Sequence, residues 1–267
     1  MKKKILFISG NLIKHKFLTI KLLKKFKLMK VIFEKYPKKI ETNYVKRNSK
    51  IIRRHFENVK KYENKYFGEY VKKNIIFLEK NTLFNINKGS INNQTIINEI
   101  VKFNPNLIII NATSILSKNF LLNFKNKIIN FHAGLLPYYR GAGCNVWPFY
   151  YDELEYVGVS THFVDAGVDI GNIILQNRPK FSVVDNTHSI GCKNTILGVN
   201  LLNRSIKYIL RKPKFKGVKI KSDFSRLCLK KNFNSKVIKQ IEVNLSNGII
   251  SKYLKNEKKI KISRSLL

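Results

Sequence analysis

The chain has 267 residues and 44% hydrophobic content, enough for one large domain with its own core and without staples. Its three cysteines, Cys144, Cys192 and Cys228, form no C-x-x-C pair and are too few for a disulfide framework, which argues against a zinc site and fits a reducing cytoplasm. The 52 Lys and Arg against 16 Asp and Glu give a formal net charge of +36, but the positive residues are mostly lysines spread along the chain, so a dispersed, solvated charge is preferred over a dedicated polyanion surface.

The opening Met1-Lys2-Lys3-Lys4 precedes an apolar run that breaks at once at Ser9-Gly10-Asn11, too short for a signal segment. No other run approaches membrane-spanning length, so a soluble, cytoplasmic chain without a membrane partner is expected. Residues 4–9 read as a strand, followed by a helix carrying Phe17, Ile20, Leu22, Leu23 and Phe26. The Gly10-Asn11 turn between them lies at the carboxyl end of that strand, where open α/β sheets place ligands. It is not G-x-G-x-x-G, so the dinucleotide fingerprint is absent.

Residues 31–34 read as a second strand that Pro37 ends. Over 46–70, Ile51, Ile52, His55, Phe56, Val59 and Tyr62 recur at helical spacing among lysines and arginines, predicting a basic amphipathic helix packed on the sheet rather than a nucleic-acid reader. A short strand is expected over 74–79, a turn over 87–90, and a helix over 93–103 stopped ahead of Pro105. Leu107-Ile108-Ile109-Ile110 has the character of a central parallel strand. Ser117 can cap a helix running to about residue 124, and 127–131 is the next strand.

The loop 133–143 leads to a short helix over 144–151, in which Trp147 is read as core packing. Strands over 156–164 and 172–176 and a long helix over 187–210 follow, and Arg211-Lys212-Pro213 ends that helix. The alternation predicts an α/β, Rossmann-like three-layer fold with a mainly parallel sheet, plus a short helical C-terminal extension. Residues 1–213 form the expected main domain. Residues 214–267 form the basic extension, with one helix over 235–254 and a mobile end.

Asn130 and His132 end one apolar run and Asp169 follows another, so an amide, an imidazole and a carboxylate converge where strands stop. Singly they read as a loop cap, a core histidine and a turn residue. Together they have the composition of an active site. His162 reads as a strand histidine with a satisfied partner, while His15, His55 and His188 have no identifiable partner.

Asn130-Phe131-His132, Leu135-Leu136-Pro137, Arg140-Gly141, His162-Phe163-Val164 and Asp169-Ile170-Gly171, in this order and spacing, resemble the formyltetrahydrofolate-dependent formyltransferases. That group includes glycinamide ribonucleotide, methionyl-tRNA and sugar N-formyltransferases. The resemblance implies 10-formyltetrahydrofolate as co-substrate, no metal, and Asn130, His132 and Asp169 as the catalytic set. A neutral amine attacks the formyl carbon and a tetrahedral oxyanion forms, for which the Asn130 amide is a suitable donor; loss of such a donor in other enzymes costs about 2.7–4 kcal/mol. His132 would donate to the same oxygen or manage the amine's proton, with Asp169 orienting it or holding a water. The resemblance places Ser114, Ile115 and Leu116, with Val164 and Asp165, around the pterin, although for Ile115 and Leu116 ordinary core packing is as good a reading.

The acceptor is read largely from departures. The ribonucleotide enzymes resemble Ser-Gly-Asn-Gly-Ser-Asn after their first strand, whereas this chain has Ser9-Gly10-Asn11-Leu12-Ile13-Lys14. The segment after Pro213 is too short for the C-terminal barrel of the methionyl-tRNA enzymes. What remains is an amine on a phosphorylated or nucleotide-linked small molecule, an amino sugar above all, with Gly10, Asn11, Tyr138 and Arg140 as substrate-binding candidates. Glycinamide ribonucleotide and methionyl-tRNA are the alternative acceptors. A folate- or RNA-binding protein without transferase activity, and hydrolysis of the formyl donor, are the readings from other classes. The oligomeric state stays open.

Overall fold

The computed structural model describes residues 3–35, 49–219, 222–257 and 265–266. The expected strand stop at Pro37, the start of the basic helix at 46–48 and the basic end at 258–264 lie outside the described residues.

An eight-stranded sheet runs through the described residues. Its strands are β1 (Ile5–Gly10), β2 (Met29–Lys35), β3 (Thr82–Asn87), β4 (Leu107–Asn111), β5 (Ile128–His132), β7 (Val159–Phe163), β8 (Ile173–Asn177) and β10 (Ser265–Leu266), in the order β10-β8-β7-β5-β4-β1-β2-β3. From β3 to β5 all neighbours are parallel, and β7, β8 and β10 add antiparallel pairs at one side. The sheet is therefore mainly parallel, as the alternation predicts.

Both faces are covered, because the central strands are apolar on both sides of the pleat. Ile5 and Phe7 of β1 and Ile109 of β4 point into one core, together with residues of helices α1 (Ile13–Leu23) and α8 (Thr187–Arg211). Leu6, Ile8, Ile108 and Ile110 point into the other, with α5 (Gln94–Phe103) and α6 (Lys118–Asn123). Full burial of each such side chain contributes about 1.5–3 kcal/mol. The Ser117 hydroxyl accepts from Phe120 N at 3.2 Å, capping α6 as expected.

The basic segment forms α2 (Lys50–Glu63), passes through a π-turn at Asn64–Gly68 and continues as α3 (Glu69–Lys73). The strand expected over 74–79 is instead helix α4 (Ile76–Asn81), and the chain enters the sheet only at Thr82. Ile75 and Ile76 face solvent and Leu78 is buried, so the apolar run serves a helix; its length could not separate the two periods. Thr82–Asn87 has the alternating exposure of an edge strand, with Phe84 and Ile86 turned inward.

Past the sheet, β6 (Tyr139–Gly141) lies within the loop expected over 133–143 and pairs in parallel with β9 (Arg226–Cys228) from the C-terminal segment. The single helix expected over 235–254 is two, α9 (Ser235–Ser246) and α10 (Ile249–Asn256), because Gly248 adopts φ +74° between them. These helices share a third core with α7 (Trp147–Tyr150): Tyr139, Trp147, Phe149, Val237, Ile241, Ile250 and Tyr253 meet there. Trp147 is buried in it and donates to Ala142 O, which agrees with the packing role expected. Among the described residues, no helix is long and apolar enough to cross a membrane.

Candidate active site

β5 and β7 are antiparallel, with Asn130 opposite His162 in the register. Side chains opposite one another project from the same face, so this pairing alone brings an amide against an imidazole. Asn130 Nδ2 lies 3.1 Å from His162 Nε2, and His162 Nδ1 lies 2.7 Å from Phe163 O. A carbonyl only accepts, so His162 carries a proton on Nδ1; at Nε2 the neutral ring accepts from Asn130, whereas the imidazolium donates to Asp169 Oδ1.

Asp169 returns to this point from the loop between β7 and β8. It sits at φ +52°, a sparsely populated conformation for a non-glycine residue, and its carboxylate is held from several sides. Oδ1 accepts from Asn130 Nδ2 at 3.0 Å and lies 3.3 Å from His162 Nε2. Oδ2 accepts from Gly141 N at 2.9 Å and lies 3.3 Å from His132 Nδ1. Burial alone would raise this carboxyl's pKa, but the His162 hydrogen bond, the charges of both histidines and the Gly141 N–H outweigh it and hold it well below the ordinary carboxylate range.

His132 is buried with an acceptor at each ring nitrogen: Asp169 Oδ2 faces Nδ1, and Tyr139 O lies 2.9 Å from Nε2. A neutral imidazole has one N–H for these two acceptors, and only the imidazolium satisfies both. Burial is the largest influence and pulls the His132 pKa below its ordinary value. Asp169 opposes this, His162 adds to it, and the Tyr139 carbonyl opposes it. The site thus keeps an ionised carboxylate beside an imidazole poised to take up a proton. Gly134 permits the arrangement, since a Cβ there would lie 2.4 Å from His132 Nε2 and 2.6 Å from the Cys144 Cβ.

The remaining candidates fall into two groups. Ser114, after β4, is half-buried; its N–H donates to Glu34 Oε2 at 2.6 Å, and its hydroxyl accepts from Gly89 N at 2.8 Å. Ile115 is 81% exposed, whereas Leu116 is buried in the same core that Val164 packs against, and Asp165 faces solvent. Val168 and Ile170, which flank Asp169, are also exposed, so Ile115, Val168 and Ile170 are apolar side chains in solvent on loops that carry predicted site residues. Gly10 and half-buried Asn11 lie at the end of β1, where a Cβ on Gly10 would meet His15 Nδ1 at 2.7 Å and Ala112 O at 3.3 Å. The Tyr138 ring makes tilted contacts with Tyr156 and Phe224, and Arg140 Nε donates to Ser225 Oγ at 2.9 Å, so both turn toward the C-terminal segment.

Several residues of this region were not singled out from sequence. The Tyr139 carbonyl and the Gly141 N–H act through the backbone, which leaves no side-chain signature. His162, by contrast, is held as the strand histidine with a satisfied partner that its sequence predicts, and its neighbours also include Asp169. Glu34, at the end of β2, is fully buried and accepts from Gly89 N at 2.9 Å, Ser114 N at 2.6 Å and Lys88 Nζ at 3.2 Å. An acidic residue at the carboxyl end of a parallel strand was the available signal.

The formyl transferase family model matches residues 16–204, spanning β5, β7 and the Asp169 loop. The chain belongs to the formyl transferase family. Methionyl-tRNA formyltransferase of Finegoldia magna is 32% identical over 154 residues, covering 56% of this chain and 47% of that relative. The chain therefore spans about half the length of this curated relative. The structure of phosphoribosylglycinamide formyltransferase from Anaplasma phagocytophilum aligns with a TM-score of 0.57 at 16% identity, covering 86% of this chain and all of that one (100%). The N-formyltransferase from Helicobacter canadensis, solved with folinic acid and dTDP-3-aminofucose, aligns with a TM-score of 0.54 at 17% identity, covering 93% and 81%. At these identities the structures establish the shared formyltransferase fold.

Proposed function

We propose that this chain transfers a formyl group from 10-formyltetrahydrofolate to the primary amine of a nucleotide-linked amino sugar, with residues 1–213 as the catalytic domain and 214–267 as an extension. The observation that carries the reading is the joining of half-buried Asn130 and Asp169 with buried His132 into one network within a formyl transferase family match. The folate supplies an activated formyl group. For its flat pterin, the exposed Ile115, Val168 and Ile170 offer apolar surface, and the backbone groups of the Ser114–Leu116 segment other than Ser114 N and Ile115 O, which Glu34 and Asn92 hold, offer hydrogen bonds.

Amine attack on a formyl carbon releases a proton from nitrogen and builds negative charge on oxygen; collapse of the tetrahedral adduct re-forms the C=O and breaks the bond to folate N10, which takes up the proton as tetrahydrofolate leaves. His132 takes the proton: the imidazolium so formed satisfies Asp169 Oδ2 and Tyr139 O together, and the ionised Asp169 stabilises it. The Asn130 amide serves the oxygen. Both Nδ2 hydrogens point at Asp169 and His162, and donation to the oxyanion exchanges the His162 contact for the substrate's oxygen while Asp169 keeps the amide in place. Gly10, Asn11, Tyr138 and Arg140 take the rest of the acceptor.

A nucleotide-linked amino sugar is favoured because the Helicobacter canadensis structure holds dTDP-3-aminofucose and its fold covers 93% of this chain. Methionyl-tRNA is the second reading, supported by the name of the Finegoldia magna relative and by the charge of +36. Purified protein with 10-formyltetrahydrofolate would be offered dTDP- and UDP-linked amino sugars, glycinamide ribonucleotide and charged initiator tRNA, with formyl adducts detected by mass. Formylation of an amino sugar alone is expected. Adduct on tRNA alone moves the acceptor to the second reading, and loss of the formyl donor without any amine adduct overturns transfer altogether.

A further inference from the structure

We propose that residues 225–228, in the segment beyond the 16–204 family match, are a working part of the active centre, and that Arg226 is a positioning residue for His132 and Asp169. The inference rests on the catalytic reading of those two residues.

The loop after β5 supplies both backbone groups that fix the centre: Tyr139 O at His132 Nε2 and Gly141 N at Asp169 Oδ2. That loop is bound along its length by the C-terminal segment. β6 and β9 align Tyr139 with Arg226, Arg140 with Leu227 and Gly141 with Cys228. Arg226 N donates to Tyr138 O at 2.8 Å, Ala142 N to Cys228 O at 2.8 Å, and Ser225 Oγ to Pro137 O at 2.6 Å. Gly141 stands at φ +92°, and a Cβ on it would lie 2.3 Å from Cys228 O, so the two backbones touch where the Asp169 contact is made.

Side chains repeat the connection. Fully buried Tyr139 donates through its hydroxyl to Glu153 Oε2 at 2.5 Å. Arg226 grips that carboxylate with both Nε, at 3.3 Å, and NH2, at 2.5 Å, and lies 4.1 Å above the Tyr151 ring. A bidentate guanidinium fixes orientation as well as charge, which lysine does not reproduce. The chain Arg226–Glu153–Tyr139 thus sets the position of the carbonyl that faces His132.

The test uses the full chain with Arg226→Met, Arg226→Lys and Tyr139→Phe, the last keeping the buried ring. Ring 15N shifts of His132, identified by their loss in His132→Asn, are followed from pH 8 down to the lowest pH at which the fold persists, since His132 titrates below the ordinary histidine value. In the unaltered protein the neutral ring is expected to carry its proton on Nε2. In Arg226→Met and Tyr139→Phe the proton should shift toward Nδ1, and the ring should titrate at lower pH through loss of the carbonyl acceptor. Turnover should fall about tenfold or more with folate affinity held, and the double variant should be no worse than either single one, as for residues acting in one chain. Arg226→Lys should restore only part of the effect. Unaltered His132 shifts and titration in both Arg226→Met and Tyr139→Phe would overturn the inference. Because the spectrum is read without an acceptor, a chain that formylates no amine but shows the tautomer shift sustains this positioning role while the transferase reading fails.

Discussion

Asp169 Oδ2 lies 3.3 Å from His132 Nδ1 while accepting the Gly141 N–H at 2.9 Å, so one carboxylate oxygen ties the imidazole to the loop that supplies the ring's other acceptor. The pair therefore works as a unit. His132→Gln should lower turnover about a hundred- to ten-thousand-fold, the range of a positioned general base, with folate affinity nearly unchanged. Asp169→Asn removes the charge that favours the imidazolium, so His132 should titrate at a still lower pH. The acid limb of kcat/KM then moves to lower pH and the plateau falls. A pH–rate series on both variants checks this, and an Asp169→Asn limb at higher pH than in the unaltered protein would contradict the assigned direction.

Gly134 is a steric requirement of the same pair. Gly134→Ala puts a Cβ within 2.4 Å of His132 Nε2 and 2.6 Å of the Cys144 Cβ, separations no packed structure tolerates. Relief must come from moving the imidazole or the Cys144 backbone, at about 1–3 kcal/mol. Thermal unfolding should show that loss, and the fall in kcat should exceed what the change in folded fraction explains. Unchanged turnover would mean that the ring can move without consequence.

What was legible in the sequence followed from period and punctuation. The runs at Ile5 and Leu107 read as buried strands because apolar residues on both faces of a pleat leave no polar position, and Ser117 read as a cap because its hydroxyl serves one specific N–H. Asn130, His132 and Asp169 could be singled out because their signal lies in side chains rather than in the backbone. The segment 74–79 was misread because four apolar residues suit either period, and the sheet edge was taken by Thr82–Asn87 instead. The pairing of β6 with β9 was invisible, since three residues of each strand meet across more than eighty positions and the contact is made by backbone.

Glu34 offers a test of the loop that carries Ser114. Its two oxygens accept from Gly89 N, Ser114 N and Lys88 Nζ with no exposure to solvent. Glu34→Gln replaces one acceptor with an NH2 group that must face an N–H or an ammonium, leaving a buried donor unpaired at about 1–3 kcal/mol. Stability should drop by that amount. If the Ser114–Leu116 segment holds the pterin, folate Kd should rise while the His132 acid limb stays in place. Calorimetric titration with a folate analogue reads the first effect and the pH–rate profile the second; unchanged folate affinity would free this segment from the pterin.

His55 makes acid stability predictable. Its ring is buried beside His188, with centroids 5.0 Å apart, in a cavity also lined by Arg54, Lys61 and Glu242. Burial, and then the charge of His188, pull its pKa from 6.5 down to about 4. Protonation is therefore easier in the unfolded chain, so this contribution to stability is fully present above pH 6.5 and is lost as pH falls toward 4. At 1.36 kcal/mol per unit the loss amounts to about 3 kcal/mol. His15, His132 and His188 are also held below their ordinary values and slope the same way. Denaturant melts of His55→Leu at pH 7 and pH 4.5 should show a smaller difference between the two pH values than melts of the unaltered chain, by about 2–3 kcal/mol. An equal difference in both proteins would show that His55 is not held neutral by its surroundings.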